Sequence, residues 1–157
     1  MEFRVFVMQY EGKVGVQSEI SCVPFEEAYF EEYKKIYNEC FYDMRKALER
    51  KPYCWLNEYS QISEHVGEIY LLLEQGEIIG SVACYGNEVD DLIVNQRFQH
   101  RGYGRKLLGW AMERIRERSS EPITLHVAEW NEKAVSLYRS CGFEIAEVLT
   151  IGNTAET

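Results

Sequence analysis

The chain has 157 residues and a mass of 18.4 kDa, the length of one ordinary domain, at which a fold buries about 70% of the surface its unfolded form exposes. With 46% hydrophobic, 13% aromatic and 27% charged residues and only three prolines, the composition excludes collagen-like and disordered classes. Acidic residues outnumber basic ones by 26 to 17, a net charge of -9; the resulting field repels phosphate backbones and anionic lipid, so neither nucleic acid nor a membrane is expected as a partner.

The opening Phe3-Arg4-Val5-Phe6-Val7-Met8-Gln9-Tyr10 is rich in β-formers. Glu11-Gly12-Lys13 then marks a turn before a second extended stretch through Val16, Ile20 and Val23, so a strand or a hairpin is expected. After Pro24, apolar residues Phe25, Tyr29, Tyr33, Ile36, Cys40, Met44 and Leu48 recur at spacings of four and three, which keeps them on one stripe of a helix. That predicts helix from about 25 to 50, stopped at Lys51-Pro52, either as one helix or as two broken near Asn38. Residues 53 to 67 show no period and read as loop or short helix. Three runs follow, Ile69 to Glu74, Ile78 to Tyr85 and Glu88 to Val94, separated by turns at Gln75-Gly76 and Gly86-Asn87; this is the pattern of an antiparallel meander. From Gly102 to Arg118 the spacing of Leu107, Leu108, Ala111, Met112 and Ile115 is helical. A strand is expected over Ile123 to Ala128 and a helix from Asn131 through Tyr138, closed by Gly142 at its C′ position. A last strand runs from Phe143 to Leu149 before a frayed tail.

The longest apolar runs, such as Ile69 to Leu73, fall far short of the roughly 18 residues that cross a bilayer. Met1-Glu2-Phe3-Arg4 lacks the basic-then-apolar order of a signal peptide, and a cytoplasmic location is expected. Cys22, Cys40, Cys54, Cys84 and Cys141 are odd in number and contain no C-x-x-C pair, so buried reduced thiols are expected, with no disulfide framework and no metal site.

The most informative stretch runs from Leu92 to Leu107 as strand, loop and helix start. Gly102 and Gly104 free the backbone to turn tightly and to bring several N–H groups to a ligand, at a helix N-terminus where the dipole favours anions. Arg97, Arg101, Arg105 and Lys106 make the same loop basic within an acidic chain, which suits a pyrophosphate. The segment lacks the Gly-Lys-Ser/Thr of a Walker loop, and Leu107 stands where a dinucleotide fingerprint needs a small residue. A tight turn with solvated arginines is the bland alternative.

Gln99-x-x-Gly102-x-Gly104 after Leu92-Ile93-Val94 resembles the acetyl-CoA motif of the GNAT superfamily of N-acetyltransferases, Arg/Gln-x-x-Gly-x-Gly/Ala. A second segment, Leu125 to Phe143, resembles the family's L-x-V-x-x-x-N-x-x-A-x-x-L-Y-x-x-x-G-F at every fixed position. The likeness covers residues 69 to 149 well and the first 68 only in their general order. It implies a single α/β domain over 1–157: a mixed, mostly antiparallel sheet of about six or seven strands with helices on both faces and splayed central parallel strands. Residues 1–17 are left as an extra N-terminal strand and 150–157 as a tail.

The resemblance also implies roles. Acetyl-CoA would be the cosubstrate, its pantetheine pairing along Leu92, Ile93 and Val94. Backbone N–H groups of Gln99, His100, Arg101, Gly102, Tyr103, Gly104 and Arg105 would surround its pyrophosphate, with the Arg101 and Arg105 side chains adding charge. Asn95-Gln96 departs from the family's frequent acidic-proline pair. Asn131 matches a cofactor-binding position and also suits an N-cap. Tyr138 matches the general acid that serves the departing thiolate, against a merely packed tyrosine. For the base that an ammonium acceptor requires, Glu88 comes first and His126 second, with Asp90 on the same strand face as Glu88. Around the acceptor site, Tyr29, Phe30, Tyr33, Tyr37, Phe41, Tyr42, Tyr53, Trp55 and Tyr59 stand beside Glu26, Glu27, Glu31, Glu32, Glu39 and Asp43, either as a cation site or as ordinary core and surface.

Transfer of an acetyl group to a primary amine of a small molecule or protein, by direct attack in a ternary complex, is therefore the expected function. The alternatives are a non-catalytic acyl-CoA-binding sensor or docking module, and transfer to a hydroxyl or a charged tRNA, the last disfavoured by the acidic balance. A homodimer through a sheet edge would fit this fold.

Overall fold

A computed structural model of the protein describes residues 1–12 and 17–152. The expectations that touch Lys13, Val16 and the tail beyond Gly152 lie outside the described residues. In chain order the elements are β1 (Phe3–Tyr10), β2 (Val23–Pro24), α1 (Phe30–Ala47), β3 (Ile69–Glu74), β4 (Glu77–Tyr85), β5 (Glu88–Val94), α2 (Tyr103–Arg116), β6 (Ile123–Ala128), α3 (Glu132–Ser140) and β7 (Glu144–Ile151). They build one seven-stranded sheet in the order β2-β3-β4-β5-β6-β1-β7. Every neighbouring pair is antiparallel except β5 and β6.

Both faces of the sheet are covered, and the strands carry the signature of it. In β3, Ile69 and Leu71 join a core with Phe30, Tyr33 and Ile36 of α1. Their neighbours Tyr70 and Leu72 join the opposite core with Leu107, Leu108, Ala111 and Ile115 of α2 and Tyr138 of α3. Alternation of side chains puts successive residues on opposite faces, so a strand clad on both sides reads as a continuous apolar run. α2 lies close against the strands at Gly80, where a Cβ would stand 2.6 Å from Leu107 Cδ1 and 2.7 Å from the Ile93 carbonyl oxygen.

The structure decides between the alternatives at two places in the first 50 residues. α1 is continuous through Asn38, because that side chain is turned to a long-range clamp: its Nδ2 donates to the Leu56 carbonyl at 2.7 Å and its Oδ1 accepts from the Leu56 N–H at 3.0 Å. The clamp fastens residues 53–67, which form 3₁₀ turns at Tyr59–Gln61 and Val66–Glu68, over the α1-side core with Leu56 and Ile62 buried. The hairpin alternative for the N-terminus does not form. β1 instead inserts between β6 and β7, with Val5 opposite both Ala128 and Leu149, while Val23 and Pro24 pair with β3 across the sheet. Of the five free cysteines, Cys54 is exposed rather than buried.

Candidate active site

The decisive feature of the sheet is where its parallel pair stops. β5 and β6 are in register only at Glu88 and Thr124, fastened by the Thr124 N–H to the Asn87 carbonyl at 2.9 Å. From there the strands part, so the outer edge of β5 over Leu92 and Ile93 and the matching edge of β6 share no ladder. A cleft of about 330 Å³ lies at the opening. Leu92, His126, Asn131 and Tyr138 line it together with Asp90, Asp91, Val127, Ala128 and Ala134, while Tyr37, Phe41, Met44 and Arg45 of α1, Leu48 and Arg50 just after it, and Phe3 and Val5 of β1 complete the wall.

A bulge in β5 shapes this cleft. Ala83 pairs with Asp90 while Ser81 pairs with Ile93, so β5 holds one residue more than β4. Asp91 takes a φ of +46° there. The extra residue reverses the alternation: Val89 belongs to the α2-side core and Ile93, four positions on, to the α1-side core. Such a bulge re-aims side chains, and here it turns Asp90 and Asp91, adjacent in sequence, toward the same cleft. Strict alternation places Asp91 on the face opposite Asp90, so the strand pattern alone does not point to it. The signal was the polar pair itself, in Glu-Val-Asp-Asp-Leu-Ile-Val, where the period of two slips by one.

Glu88 does not line the cleft. Its Oε2 sits 3.1 Å from Nδ1 of His126, which does, so the two candidate bases form one pair. Asp90 Oδ1 accepts the Asp91 N–H at 2.8 Å, and burial, reinforced by the neighbouring Asp90 carboxylate, pushes the Asp91 carboxyl up to about 7. Asp90 itself is also raised, by burial first and by Glu88 second, against the opposing pull of the Asp91 N–H and His126. Tyr138 is buried against Phe143. Burial, then Asp90 and Cys141, push its phenol up to about 12, so it keeps its proton at neutral pH. Asn131 caps α3 by accepting the Ala134 N–H at 3.2 Å, and its amide nitrogen donates to no described residue.

The glycine loop stands beyond the cleft, at the start of α2. Asn95, one of the few buried polar side chains, ties it to the sheet: Nδ2 donates to the Ile78 carbonyl at 3.0 Å and Oδ1 accepts the Arg97 N–H at 3.2 Å. His100 and Gly102 have positive φ, +66° and +86°. Gly102 is the N-cap and has no side chain to give, and the backbone N–H groups of residues 102 to 105 donate to no described residue. Open space surrounds the Gly102 Cα where a Cβ would point. An unpaired row of donors at a helix N-terminus is a binding surface for anionic oxygens, and in that respect the loop fits a diphosphate. Charged side chains fit it less closely than expected. The Arg105 guanidinium is held by Ser140 Oγ at 2.7 Å and Cys141 Sγ at 3.3 Å, and Arg97 and Arg101 both lie over the Phe98 ring, Arg97 also pairing with Glu77. The Val94 carbonyl is likewise taken, by Gln99 Nε2 at 3.0 Å and Cys40 Sγ at 3.2 Å, which leaves Leu92 and Ile93 as the free part of the edge.

The profile of the acetyltransferase (GNAT) family matches residues 26–143. The chain belongs to this family. An uncharacterized N-acetyltransferase of Methanocaldococcus jannaschii is 28% identical over 136 residues, 80% of this chain and 57% of that protein. An uncharacterized N-acetyltransferase of Lactobacillus delbrueckii subsp. lactis is 30% identical over 132 residues, 73% of this chain and 74% of that protein. Among solved structures, a GNAT-family acetyltransferase of Colwellia psychrerythraea superposes with a TM-score of 0.74 at 12% identity, over 96% of this chain and 56% of that one; it shares the fold. The chain thus spans little more than half the length of the first relative and of this structural neighbour. GNAT proteins take acetyl-CoA as cosubstrate, and no helix among the described residues is long and apolar enough to cross a membrane.

Proposed function

We propose that the chain is an acetyl-CoA-dependent N-acetyltransferase that acetylates a primary amine by direct attack in a ternary complex. The observations that carry this reading are the parting of β5 from β6 beyond Glu88 and Thr124, which opens the cleft, and the unpaired N–H groups at the start of α2 on the segment that follows β5. Leu92 and Ile93 would hold the pantetheine, the N–H row the pyrophosphate, and the Asn131 amide the cofactor's middle. Acetyl-CoA, when bound, supplies a thioester whose sulfur departs as thiolate.

The chain's own groups meet the two proton requirements of such a transfer. Tyr138 holds a proton that water would not remove at neutral pH, at a position lining the cleft, which suits an acid for a departing thiolate. His126 faces the same cleft with Nδ1 engaged by Glu88. That contact fixes Nδ1 as the protonated nitrogen and leaves Nε2 to accept the proton an alkylammonium must lose before it can attack. Glu88 then acts as the positioning residue, and the two candidates become one base.

The test is release of CoA from acetyl-CoA over a panel of primary amines, compared between the wild type and Tyr138→Phe. Amine-dependent release that falls in the variant is expected. Tight acetyl-CoA binding with no release on any amine would leave a non-catalytic acyl-CoA-binding module instead.

A further inference from the structure

Behind the transfer cleft lies a second cavity of about 270 Å³, lined by Tyr37, Trp55, Gln61, Ile62, His65, Ile69, Tyr85, Asp90 and Asp91. It shares Tyr37, Asp90 and Asp91 with the cleft, so the aspartate pair stands between the two. The charges differ on the two sides. Arg45 and Arg50 line the cleft, whereas the described lining of the second cavity carries two carboxylates and no lysine or arginine.

Two independent observations say that this acidic cavity lacks its partner. The first is Asp91, which is half-buried at the junction of the two cavities and whose carboxyl accepts no hydrogen bond and makes no ion pair with any described residue; desolvation and the adjacent Asp90 carboxylate push it up to about 7. A buried carboxyl without a counter-charge is costly. The second is the wall. Tyr37 packs against Phe41 and Trp55 with ring centroids 4.7 and 6.0 Å apart, and Tyr85 meets His65 edge-on at 5.8 Å. Aromatic faces around a carboxylate attract a cation and exclude a dipolar or anionic group. No glutamate of α1 lines this cavity, and two of them are engaged elsewhere: Glu32 accepts the Ile78 N–H at 2.9 Å and Glu31 pairs with Lys34 at 3.0 Å.

We infer that the second cavity binds a distal ammonium group of the acceptor, so that the acceptor class is an α,ω-diamine or polyamine, held by Asp91 and the Tyr37–Trp55–Tyr85 wall while its other nitrogen reaches His126 and Tyr138. This rests on the proposed acetyl transfer for the fate of the near nitrogen, but the binding of the far one is independent of catalysis.

Calorimetry on the full chain with 1,4-diaminobutane, n-butylamine and 4-aminobutanoate separates the two. The diamine is expected to bind at least tenfold more tightly than butylamine, and Asp91→Asn should reduce that preference to threefold or less; Asn accepts the positive φ of this position. Trp55→Leu, a second variant away from the bulge, should lower the preference severalfold. Equal binding of diamine and butylamine, tightest binding of 4-aminobutanoate, or a preference that survives both substitutions would overturn the inference. Asp91-dependent diamine binding without acetylation would support the cation cavity and refute the proposed transfer, whereas acetylation of butylamine and diamine alike would do the reverse.

Discussion

Substitution of Gly102 can separate the fold of the glycine loop from its use. Gly102 has a φ of +86° with nothing within 4 Å of where a Cβ would stand, so a substitution meets conformational strain but no clash. For most residues the strain is about 1–2 kcal/mol, and for Asn, which visits this region readily, less. In a chain of this length each kcal/mol lowers Tm by about 2–4 °C. Gly102→Val would therefore lose stability and affinity together, and alone would decide nothing. Gly102→Asn should melt within a few degrees of the wild type, yet put a side chain into the open space above the free N–H groups of residues 102 to 105. Its acetyl-CoA affinity should fall at least tenfold, about 1.4 kcal/mol or more. Gly104 provides the control. A Cβ there would point to Leu137, 3.5 Å from Cδ2 in ordinary contact, so Gly104→Ala should keep both its Tm and its affinity within about threefold (~0.65 kcal/mol). Thermal melts and calorimetry with acetyl-CoA measure both quantities. A folded Gly102→Asn that binds acetyl-CoA as the wild type does, or a Gly104→Ala that loses as much as Gly102→Asn, would refute the placement of the diphosphate.

Tyr138→Phe should lower acetylation by roughly ten- to a thousandfold while acetyl-CoA affinity stays within about twofold, the pattern of a lost proton donor; unchanged turnover would reduce the tyrosine to packing. His126→Gln should remove the acidic limb of the kcat/KM profile, and Glu88→Gln should keep a limb but lower the rate about tenfold, because the ring loses its orienting partner. If the limb instead vanishes in Glu88→Gln and stays in His126→Gln, the carboxylate is the base and the pair works in the opposite order. Asp91→Asn bears on stability. The folded Asp91 carboxyl titrates near 7, above its unfolded value of about 3.9, so its proton favours folding at low pH, and that contribution is lost as pH rises through 7. Relative to wild type, Asp91→Asn should thus gain on the order of 1–3 kcal/mol between pH 5 and pH 8 in urea unfolding. Glu88 and His126 with Tyr33, Tyr37, Tyr85, Tyr138 and Arg45 are common to both proteins, whereas Asp90 titrates together with Asp91, so the gap belongs to the aspartate pair; a gap that does not grow with pH would count against the burial of that pair.

What could be read from the sequence was local. The meander, α2, β6 and α3 were legible because each is set by its own spacing and stops: Gly142, with φ +98°, ends the last helix where it was expected. The place of β1 was not legible, since its partners Ala128 and Leu149 lie at the other end of the chain, and a strand pattern names no neighbour. Asn38 left one helix or two open, because a polar residue inside a helix can mark a break unless its distant partner, here Leu56, is known. Glu88 and His126 were weighed as rivals because their contact exists only through the single register pair that joins β5 to β6.

That pair and the bulge belong to one device. For β5 to leave β6 it must change direction while staying paired to β4, and one extra residue does this by sharpening the local twist. The same residue interrupts the alternation that would have kept a buried face apolar, so whatever stands at position 91 is delivered to the junction of two cavities. Stability alone favours an apolar or amide side chain there, since a carboxyl without a counter-charge opposes folding above its titration point. A protein shaped only to pack would hold no such group; one that must hold a cationic acceptor beside a departing thiolate has a use for it when the acceptor arrives and neutralises it. The energetic cost of Asp91 in the free chain and its proposed affinity for a distal ammonium are then linked, because the carboxyl that lacks a counter-charge in the free chain gains one when the ammonium arrives.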